Sequence, residues 1–274
     1  MLNVVVIPIY KSILSKDEEA SLRQCLDILS SHPIRFICPD NLDVSNYISI
    51  LSKYDINIDF IWFDTKFFKS IKAYNDLMLN VDLYKTFENY KFMLLYQLDA
   101  WVFRDELDDW CLKGYDYIGA PWFVGYNIPD KNTRLQKFAG NGGFSLRCIN
   151  KFIDVLTKIN SHKYDKVKVQ SLKELNSELN LPWLKKYKLL KKYFSKKNLL
   201  KYYLQNVYED IVVEKCFNKV NKDFKLAESN VALKFSFEVH PEILFKMNSN
   251  KLPFGCHAFK KYNYSFWKQY IELD

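Results

Sequence analysis

The chain has 274 residues, of which 49% are hydrophobic and 26% charged, a composition typical of a soluble globular protein. Its formal net charge of +8 favours an anionic partner such as a nucleotide, a phospholipid surface or a nucleic acid. No cysteine pair has CxxC spacing, which argues against a zinc knuckle, and no run of about 20 uncharged apolar residues indicates a transmembrane helix. We therefore expect a single domain over 1–274 in a reducing, cytoplasmic setting.

The first hundred residues alternate between strand and helix patterns. Apolar and β-branched runs predict the strands, and apolar residues at helical spacing predict the helices between them. The strands are expected at 3–9, 34–38, 56–63 and 91–97, and the helices at 15–31, 44–54, 70–80 and 82–90. This alternation implies right-handed crossovers and a mainly parallel sheet. A strand order of 3-2-1-4 would place strands 1 and 4 side by side.

The carboxyl ends of strands 1 and 4 are the expected ligand site, because ligands of such sheets bind where the strand order reverses. The two strands end in Pro8-Ile9-Tyr10-Lys11 and in Gln97-Leu98-Asp99. Asp99 would lie beside a nucleotide-type ligand, with Lys11 close by. The sequence has neither a GxGxxG after strand 1 nor a P-loop motif, which argues against a dinucleotide redox enzyme and a P-loop enzyme. A divalent cation held by Asp99 would neutralise a diphosphate instead.

A glycine-rich motif, "GNGGFSLR" (140–147), holds three of the seven glycines. Asn141, Gly142 and Gly143 predict a tight turn or a close backbone approach to a ligand. The strand that follows ends in Arg147, which suits contact with a sugar or a diphosphate. "GYDYIGAPW" (114–122) predicts strand and turn before it.

Helices are expected over about 148–159 and over 207–217. Between them, residues 160–205 are Lys-rich and are expected to form a helical insertion. Within it, 182–205 interleaves Lys with Leu and Tyr. This segment is either a solvated face or a basic amphipathic segment on an anionic membrane surface.

Six motifs occur in a fixed order: "YQLDAWVF", "YDYIGAPW", "GNGGFSLR", "YED", "FSFE" and "PFGCHAF". Together they resemble a bacterial glycosyltransferase-like family catalogued as a domain of unknown function, which is itself similar to the GT-A nucleotide-sugar glycosyltransferases. The resemblance runs from "VVVIPIYK" to "GCHAF" and leaves 160–205 largely uncovered. It implies an α/β, GT-A-like (Rossmann-like) fold with a mainly parallel central sheet flanked by helices.

The resemblance also implies a metal site. GT-A enzymes place an Asp-x-Asp motif at the end of a central strand, where it holds Mn²⁺ or Mg²⁺ against the donor diphosphate. The matching triplet here runs from Gln97 to Asp99, so only the last acid is present. Many GT-A enzymes take a further ligand from a C-terminal histidine, and "PFGCHAF" offers His257. Asp99 and His257 are thus the expected ligands of a divalent cation, and Mn²⁺ accepts both types.

The acidic pair Glu209-Asp210 matches the catalytic acid that inverting GT-A enzymes carry near the start of a late helix. Asp210 is expected to take the proton from the acceptor hydroxyl as its oxygen attacks the anomeric carbon. The pair would otherwise be an ordinary acidic helix start that suits the helix dipole.

Four aromatic or amide residues are weaker candidates. Trp122 and Phe144 would stack on the C–H faces of an acceptor sugar, unless they belong to the core. Tyr74 and Asn75, on the helix after strand 3, would contact the nucleotide base, unless they serve helix packing.

The resemblance thus implies a hexosyltransferase-type glycosyltransferase. We expect it in the cytoplasm, at the inner face of the membrane if 182–205 docks on lipid and free of it if that segment is a solvated face. It would use a nucleotide-sugar donor, expected to be a UDP-sugar, and a lipid-linked or cell-surface glycan acceptor such as lipopolysaccharide or capsule. A nucleotidyltransferase or nucleotide-sugar hydrolase is one alternative, although "PIYKSILSKDEE" lacks the glycine-rich loop that a nucleotidyltransferase needs. A nucleic-acid binder is disfavoured because the positive charge concentrates in 185–201 while the aromatics lie in apolar strands. Gln97 in place of the first acid keeps open a protein that binds sugars without turnover.

Overall fold

The computed structural model describes residues 1–125, 134–161, 204 and 207–273. Its main sheet contains β1 (Asn3–Pro8), β2 (Ile34–Pro39), β3 (Ile58–Phe63), β4 (Phe92–Tyr96), β6 (Tyr117–Ile118) and β9 (Phe144–Cys148). Their order is β3-β2-β1-β4-β9-β6. The first four strands are parallel to one another, and β9 runs antiparallel to both β4 and β6. The predicted 3-2-1-4 order and the mainly parallel sheet are confirmed.

Helices cover both faces of this sheet, which is why β1 and β4 are buried along their whole length. The first six helices are α1 (Lys16–Leu29), α2 (Ser45–Leu51), α3 (Ile71–Met78), α4 (Val81–Thr86), α5 (Leu107–Leu112) and α6 (Ile149–Asn160). The Ser cap predicted for α1 is present as a capping box between Ser15 and Glu18. The predicted strands and helices of the first hundred residues all occur, with ends that differ by up to four residues.

A second sheet lies just beyond the end of β4. It contains β5 (Trp101–Val102), β10 (Ser236–Phe237) and β11 (Gly255–Cys256), in the order β10-β11-β5. Strand β11 is parallel to β10 and antiparallel to β5. This three-stranded sheet has its own apolar core, which includes the fully buried Trp267. A separate pair joins β7 (Pro121–Phe123) to β8 (Leu135–Ala139).

The C-terminal third contributes α7 (Glu209–Val212), a π-helical turn (Val213–Phe217), α8 (Asn218–Val220), α9 (Ser229–Phe235), α10 (Pro241–Met247) and α11 (Tyr264–Trp267). The helix predicted over 207–217 therefore begins at Glu209 and ends in a π-helical turn. The predicted Lys-rich insertion lies outside the described residues except for 160, 161 and Leu204. Within the described ranges, no helix has the length and apolar character needed to cross a membrane.

Candidate active site

A cleft of about 970 Å³ opens beyond the carboxyl ends of β1 and β4, where the strand order predicts a ligand site. Most of the predicted site residues line it: Pro8, Tyr10, Lys11, Tyr74, Asn75, Gln97, Leu98, Asp99, Trp122, Asn141, Gly142, Gly143, Glu209, Asp210 and His257. The other two, Phe144 and Arg147, are completely buried and do not line the cleft.

His257 lies between two carboxylates on one side of the cleft. Its Nε2 is 3.2 Å from Asp99 Oδ1, and its Nδ1 is 3.1 Å from Glu238 Oε1. Burial disfavours the charged imidazole, but the charges and hydrogen bonds of Asp99 and Glu238 outweigh it and raise the pKa of His257 to about 10. Burial in turn opposes ionisation of Asp99, yet the neighbouring His257 lowers the pKa of that carboxyl below its ordinary value. In the metal-free protein, His257 is therefore a cation held by two acids.

Gln97 takes part in the same cluster, because its Oε1 lies 3.2 Å from His257 Nε2. Its Nε2 donates to the Tyr74 hydroxyl at 3.0 Å, and this bond directs the amide oxygen towards the histidine. Three donor atoms of different residues thus converge at one point: Asp99 Oδ1, Gln97 Oε1 and His257 Nε2.

These donor atoms fit a divalent cation that takes part of its shell from the substrate. Among the residues that the structure describes, no cluster of three or more His, Cys, Asp or Glu side chains suits a metal ion. Mg²⁺, however, is commonly bound by one or two carboxylates with substrate phosphates, and Mn²⁺ accepts carboxylate, carbonyl and imidazole donors. Asp99, His257 and the amide oxygen of Gln97 supply such a partial set, which a diphosphate would complete.

The predicted Asn-Gly-Gly turn packs directly against the site. A Cβ on Gly143 would lie 2.0 Å from His257 Nε2, and one on Gly142 would lie 2.3 Å from Glu209 Oε1. Neither glycine has a positive φ. The close backbone approach expected here therefore brings the turn against the side chains of His257 and Glu209. Glycine is required because any side chain would overlap with them.

Arg147 does not contact the cleft, so the prediction that it binds the donor is wrong. Its guanidinium donates to Glu209 Oε1 at 2.8 Å, to the Tyr84 hydroxyl at 2.9 Å and to Gly142 O at 3.2 Å. The ion pair with Glu209 is buried on both sides. Arg147 therefore anchors Glu209 at the cleft wall, where the second carboxylate oxygen, Oε2, is buried without a hydrogen-bond partner among the described residues.

Asp210 follows Glu209 at the start of α7 and lines the cleft. Burial, assisted by the negative charges of Glu209 and Glu238, raises the pKa of Asp210 well above its ordinary value. Asn75 fixes this helix start, because its Oδ1 accepts a hydrogen bond from the Glu209 N–H at 2.8 Å. A carboxyl with raised proton affinity in a cleft is suited to general-base work.

Phe144 belongs to the core, so its predicted contact with the acceptor is wrong. Its ring packs against Tyr96, Phe235 and Phe254 with centroid distances of 5.3 to 5.8 Å. Trp122 does line the cleft although only 7% of it is exposed. The two aromatic candidates therefore separate into a core residue and a cleft residue.

Several cleft residues are absent from the sequence predictions: Tyr208, Glu238, Lys261 and Tyr262. Glu238 is the most informative of them because it contacts His257 directly. Glu238 is the last residue of the "FSFE" motif. Membership in this motif, one of the six of the family pattern, is the sequence signal that could have identified it.

The family model described as "Protein of unknown function (DUF5672)" matches residues 57–257, and the chain belongs to this family. No match for this chain was found among curated proteins. Similar solved structures include the galactosyltransferase LgtC in complex with donor and acceptor sugar analogues (TM-score 0.50, 14% identity, 93% of this chain and 86% of that chain). An active-site mutant of LgtC is also similar, with a TM-score of 0.51, 13% identity and coverage of 93% of this chain and 86% of that chain. For the glycosyltransferase GlyE of Streptococcus pneumoniae the TM-score is 0.45, the identity 12%, and the coverage 100% of this chain and 61% of that chain.

At these identities the similarity shows the fold alone. The chain has a mixed α/β architecture with a mostly parallel central sheet, similar to GT-A glycosyltransferase folds. The resemblance to a family of unknown function related to GT-A enzymes, inferred from the six motifs, is confirmed.

Proposed function

We propose that this member of the DUF5672 family is a glycosyltransferase that moves a sugar from a nucleotide-sugar donor to a hydroxyl of a glycan or lipid-linked saccharide. The observation that carries the proposal is the meeting of Asp99, His257 and Asp210 in one cleft at the carboxyl ends of β1 and β4. The fold around this cleft is similar to that of LgtC, whose structure contains donor and acceptor sugar analogues. The cleft volume of about 970 Å³ lies near the top of the range of about 300–1,000 Å³ for small-molecule sites, which favours two substrates over one.

The donor is proposed to be a UDP-sugar that lies along the end of β1. Pro8, Tyr10 and Lys11 line that end of the cleft, and Tyr74 and Asn75 line it from α3. Lys11 is paired with Glu18 at 2.6 Å, so its charge is partly compensated before any ligand binds.

A divalent cation, Mn²⁺ or Mg²⁺, would be held by Asp99 and His257 with the amide oxygen of Gln97. When bound, it would neutralise charge on the diphosphate leaving group. Gly143 leaves the space that His257 needs in this position.

Asp210 is the proposed base. The acceptor oxygen forms a bond to the anomeric carbon, the bond from that carbon to the diphosphate oxygen breaks, and the diphosphate leaves with the electron pair. The hydroxyl proton passes to the Asp210 carboxylate, and attack opposite the leaving group inverts the anomeric carbon. Glu209 is less suited to this step because Arg147 already holds one of its oxygens.

Nucleotide binding tests the donor half of the proposal. Thermal-shift measurements would use UDP, GDP, CMP and dTDP, each with and without Mn²⁺, where a hundredfold excess over Kd gives about 2.7 kcal/mol. We expect UDP to raise the melting temperature of the wild type only when Mn²⁺ is present, and we expect no such rise for Asp99→Asn. Asp59→Asn is the matched control, because Asp59 is exposed on the edge strand β3 and outside the cleft lining. A shift that needs no metal would keep the nucleotide site and remove Asp99 and His257 as ligands.

Turnover tests the transfer half. Incubation of the matching nucleotide sugar with lipid-linked or soluble glycans should release the nucleoside diphosphate and label the glycan, and Asp210→Asn should abolish both. Sugar binding without release of nucleotide would favour a non-catalytic binding protein instead.

Membrane docking is a separate part of the proposal. The acceptor is proposed to be presented on the inner face of the cytoplasmic membrane, with 182–205 as the docking segment. Absence of binding to anionic liposomes at moderate salt would contradict it.

A further inference from the structure

Glu238 is a buried acid at the cleft wall to which the proposed reaction assigns no role. Only 9% of it is exposed, and it lines the cleft beside Val239. Its Oε1 lies 3.1 Å from His257 Nδ1. A buried carboxylate is costly unless it has a partner, and this contact supplies one.

The three-stranded sheet places Glu238 beside His257. Phe237 of β10 pairs with Cys256 of β11 in parallel register, so the residues that follow each strand are neighbours. The backbone N–H of His257 also donates to Phe237 O at 2.9 Å. This bond fixes the backbone of His257 beside the end of β10, where Glu238 follows. The contact therefore follows from strand register.

The same sheet places Asp99 on the other side of the imidazole. Cys256 pairs with Trp101 of β5 in antiparallel register, and the Phe259 N–H donates to Asp99 O at 3.3 Å. The ring thus has Glu238 at Nδ1, and Asp99 and Gln97 at Nε2. Glu238 thus contacts the ring at the nitrogen opposite to the one that Asp99 and Gln97 approach.

The two ring nitrogens have different roles in this geometry. The carboxylate oxygen of Glu238 is a hydrogen-bond acceptor at 3.1 Å from Nδ1, and in that role it would favour a proton on Nδ1. Nε2 is then the nitrogen whose lone pair can face a cation, and a histidine that binds a metal commonly donates its other N–H to a carboxylate in this way.

We propose that Glu238 is a positioning residue that holds His257 as the Nδ1–H tautomer, with Nε2 directed at the cation shared by Asp99 and Gln97. This inference rests on the proposed metal-dependent function. It assigns Glu238 neither to the cation nor to the substrates.

Mn²⁺ affinity tests this role without reference to turnover. Free Mn²⁺ would be measured by electron paramagnetic resonance in the presence of UDP for the wild type and for Glu238→Leu, Glu238→Gln and Glu242→Gln. Glu238→Leu should weaken binding about 10- to 100-fold, as is typical when such a partner is lost. Glu238→Gln should weaken it less, because an amide oxygen can still accept the Nδ1 proton. Glu242 lies on α10 outside the cleft lining, so Glu242→Gln should bind as the wild type.

The results separate failure of the inference from failure of the proposed function. Wild-type affinity in both Glu238 variants would overturn the inference alone, as would equal weakening in all three variants, which would indicate a general charge effect. If the wild type binds no Mn²⁺ with any nucleotide, both the metal site and the role of Glu238 fail, while a metal-free nucleotide shift would preserve the donor site. Should Glu238→Leu not fold, the ¹⁵N spectrum of His257 in the wild type loaded with diamagnetic Zn²⁺, which accepts imidazole, decides. A proton on Nδ1 supports the inference, and a proton on Nε2 overturns it.

Discussion

Substitution of Gly143 by alanine should disable the metal side of the cleft. The new Cβ would lie 2.0 Å from His257 Nε2 and 2.4 and 2.5 Å from two further ring atoms, whereas ordinary contact begins at 3.4 Å. The backbone of Gly143 cannot easily retreat, because its carbonyl accepts a hydrogen bond from the Gln97 N–H at 2.9 Å, directly after the last pair of the β4–β9 ladder. The imidazole must therefore move by about 1.4 Å.

A rigid ring cannot keep both of its hydrogen bonds after such a displacement. It lies 3.1 Å from Glu238 and 3.2 Å from Asp99, and a shift of this size breaks at least one bond. Overpacking costs about 1–3 kcal/mol and a lost charge-assisted hydrogen bond about 1.5–3 kcal/mol. We expect the melting temperature of Gly143→Ala to fall by about 2–4 °C for each kcal/mol, and its Mn²⁺ affinity to fall about tenfold or more.

Calorimetric unfolding and titration of Mn²⁺ in the presence of UDP would measure both effects. Gly140→Ala is the matched control, because a Cβ there would lie 2.2 Å from the ring of Trp122 instead of His257. It should unfold at a similarly lowered temperature and bind Mn²⁺ as the wild type does. If Gly143→Ala keeps wild-type Mn²⁺ affinity, the placement of His257 in the metal site is refuted. Equal weakening in both variants would show that the effect is not specific to His257.

Three further substitutions follow from the buried groups around the cleft. Asp210→Asn should be more stable than the wild type in thermal unfolding, with a margin that grows as the pH is raised from about 4. The raised pKa makes the folded wild type keep a proton that the unfolded chain loses above about pH 4, so the wild type loses stability as the pH rises towards the folded-state pKa and the variant does not. A margin that shrinks over this range would contradict the environment described for Asp210. Arg147→Met should lower the free energy of unfolding in urea by about 3–5 kcal/mol, because Glu209 is left buried without its ion-pair partner. Adding Glu209→Gln should recover part of this loss. If the losses of the two substitutions simply add, the coupling between Arg147 and Glu209 is refuted. Phe144→Ala should lower the free energy of unfolding by about 3–5 kcal/mol and leave the KM for the acceptor unchanged, whereas Trp122→Ala should raise that KM. The reverse pattern would indicate that Phe144 contacts the acceptor.

The first hundred residues were predictable because their signals are local. β1 and β4 each carry a continuous apolar run, and β2 and β3 are apolar except for Arg35 and Asp59. The helices between them show apolar residues at helical spacing, and Ser15 caps α1. Parallel connectivity then determines which strand ends meet, and this placed Asp99 at the cleft without any knowledge of its neighbours.

Arg147 shows what local signals cannot decide. A basic residue that ends a strand after a glycine-rich turn has the same pattern whether it faces a ligand or the interior. Its actual partner, Glu209, lies 62 residues further along the chain. Only the packing of α7 against the sheet shows that Arg147 is buried.

Glu238 escaped prediction for a related reason. It follows β10, a strand of two residues, and meets His257 through β11, which is equally short. Strands of this length have no periodicity to read. Their pairing depends on contacts across distant parts of the chain, so the acid and the histidine come together only in the folded protein.

The three-stranded sheet also affects when the site can form during synthesis. Gln97 and His257 are separated by 160 residues, and a ribosome that adds about 5–20 residues per second needs roughly 8 to 32 s to bridge that interval. All four parallel strands of the main sheet have been made by residue 96, so a nascent chain can bury much of its interior long before His257 exists. The nascent protein should therefore pass through a period in which its main sheet is in place while its metal site cannot yet be assembled.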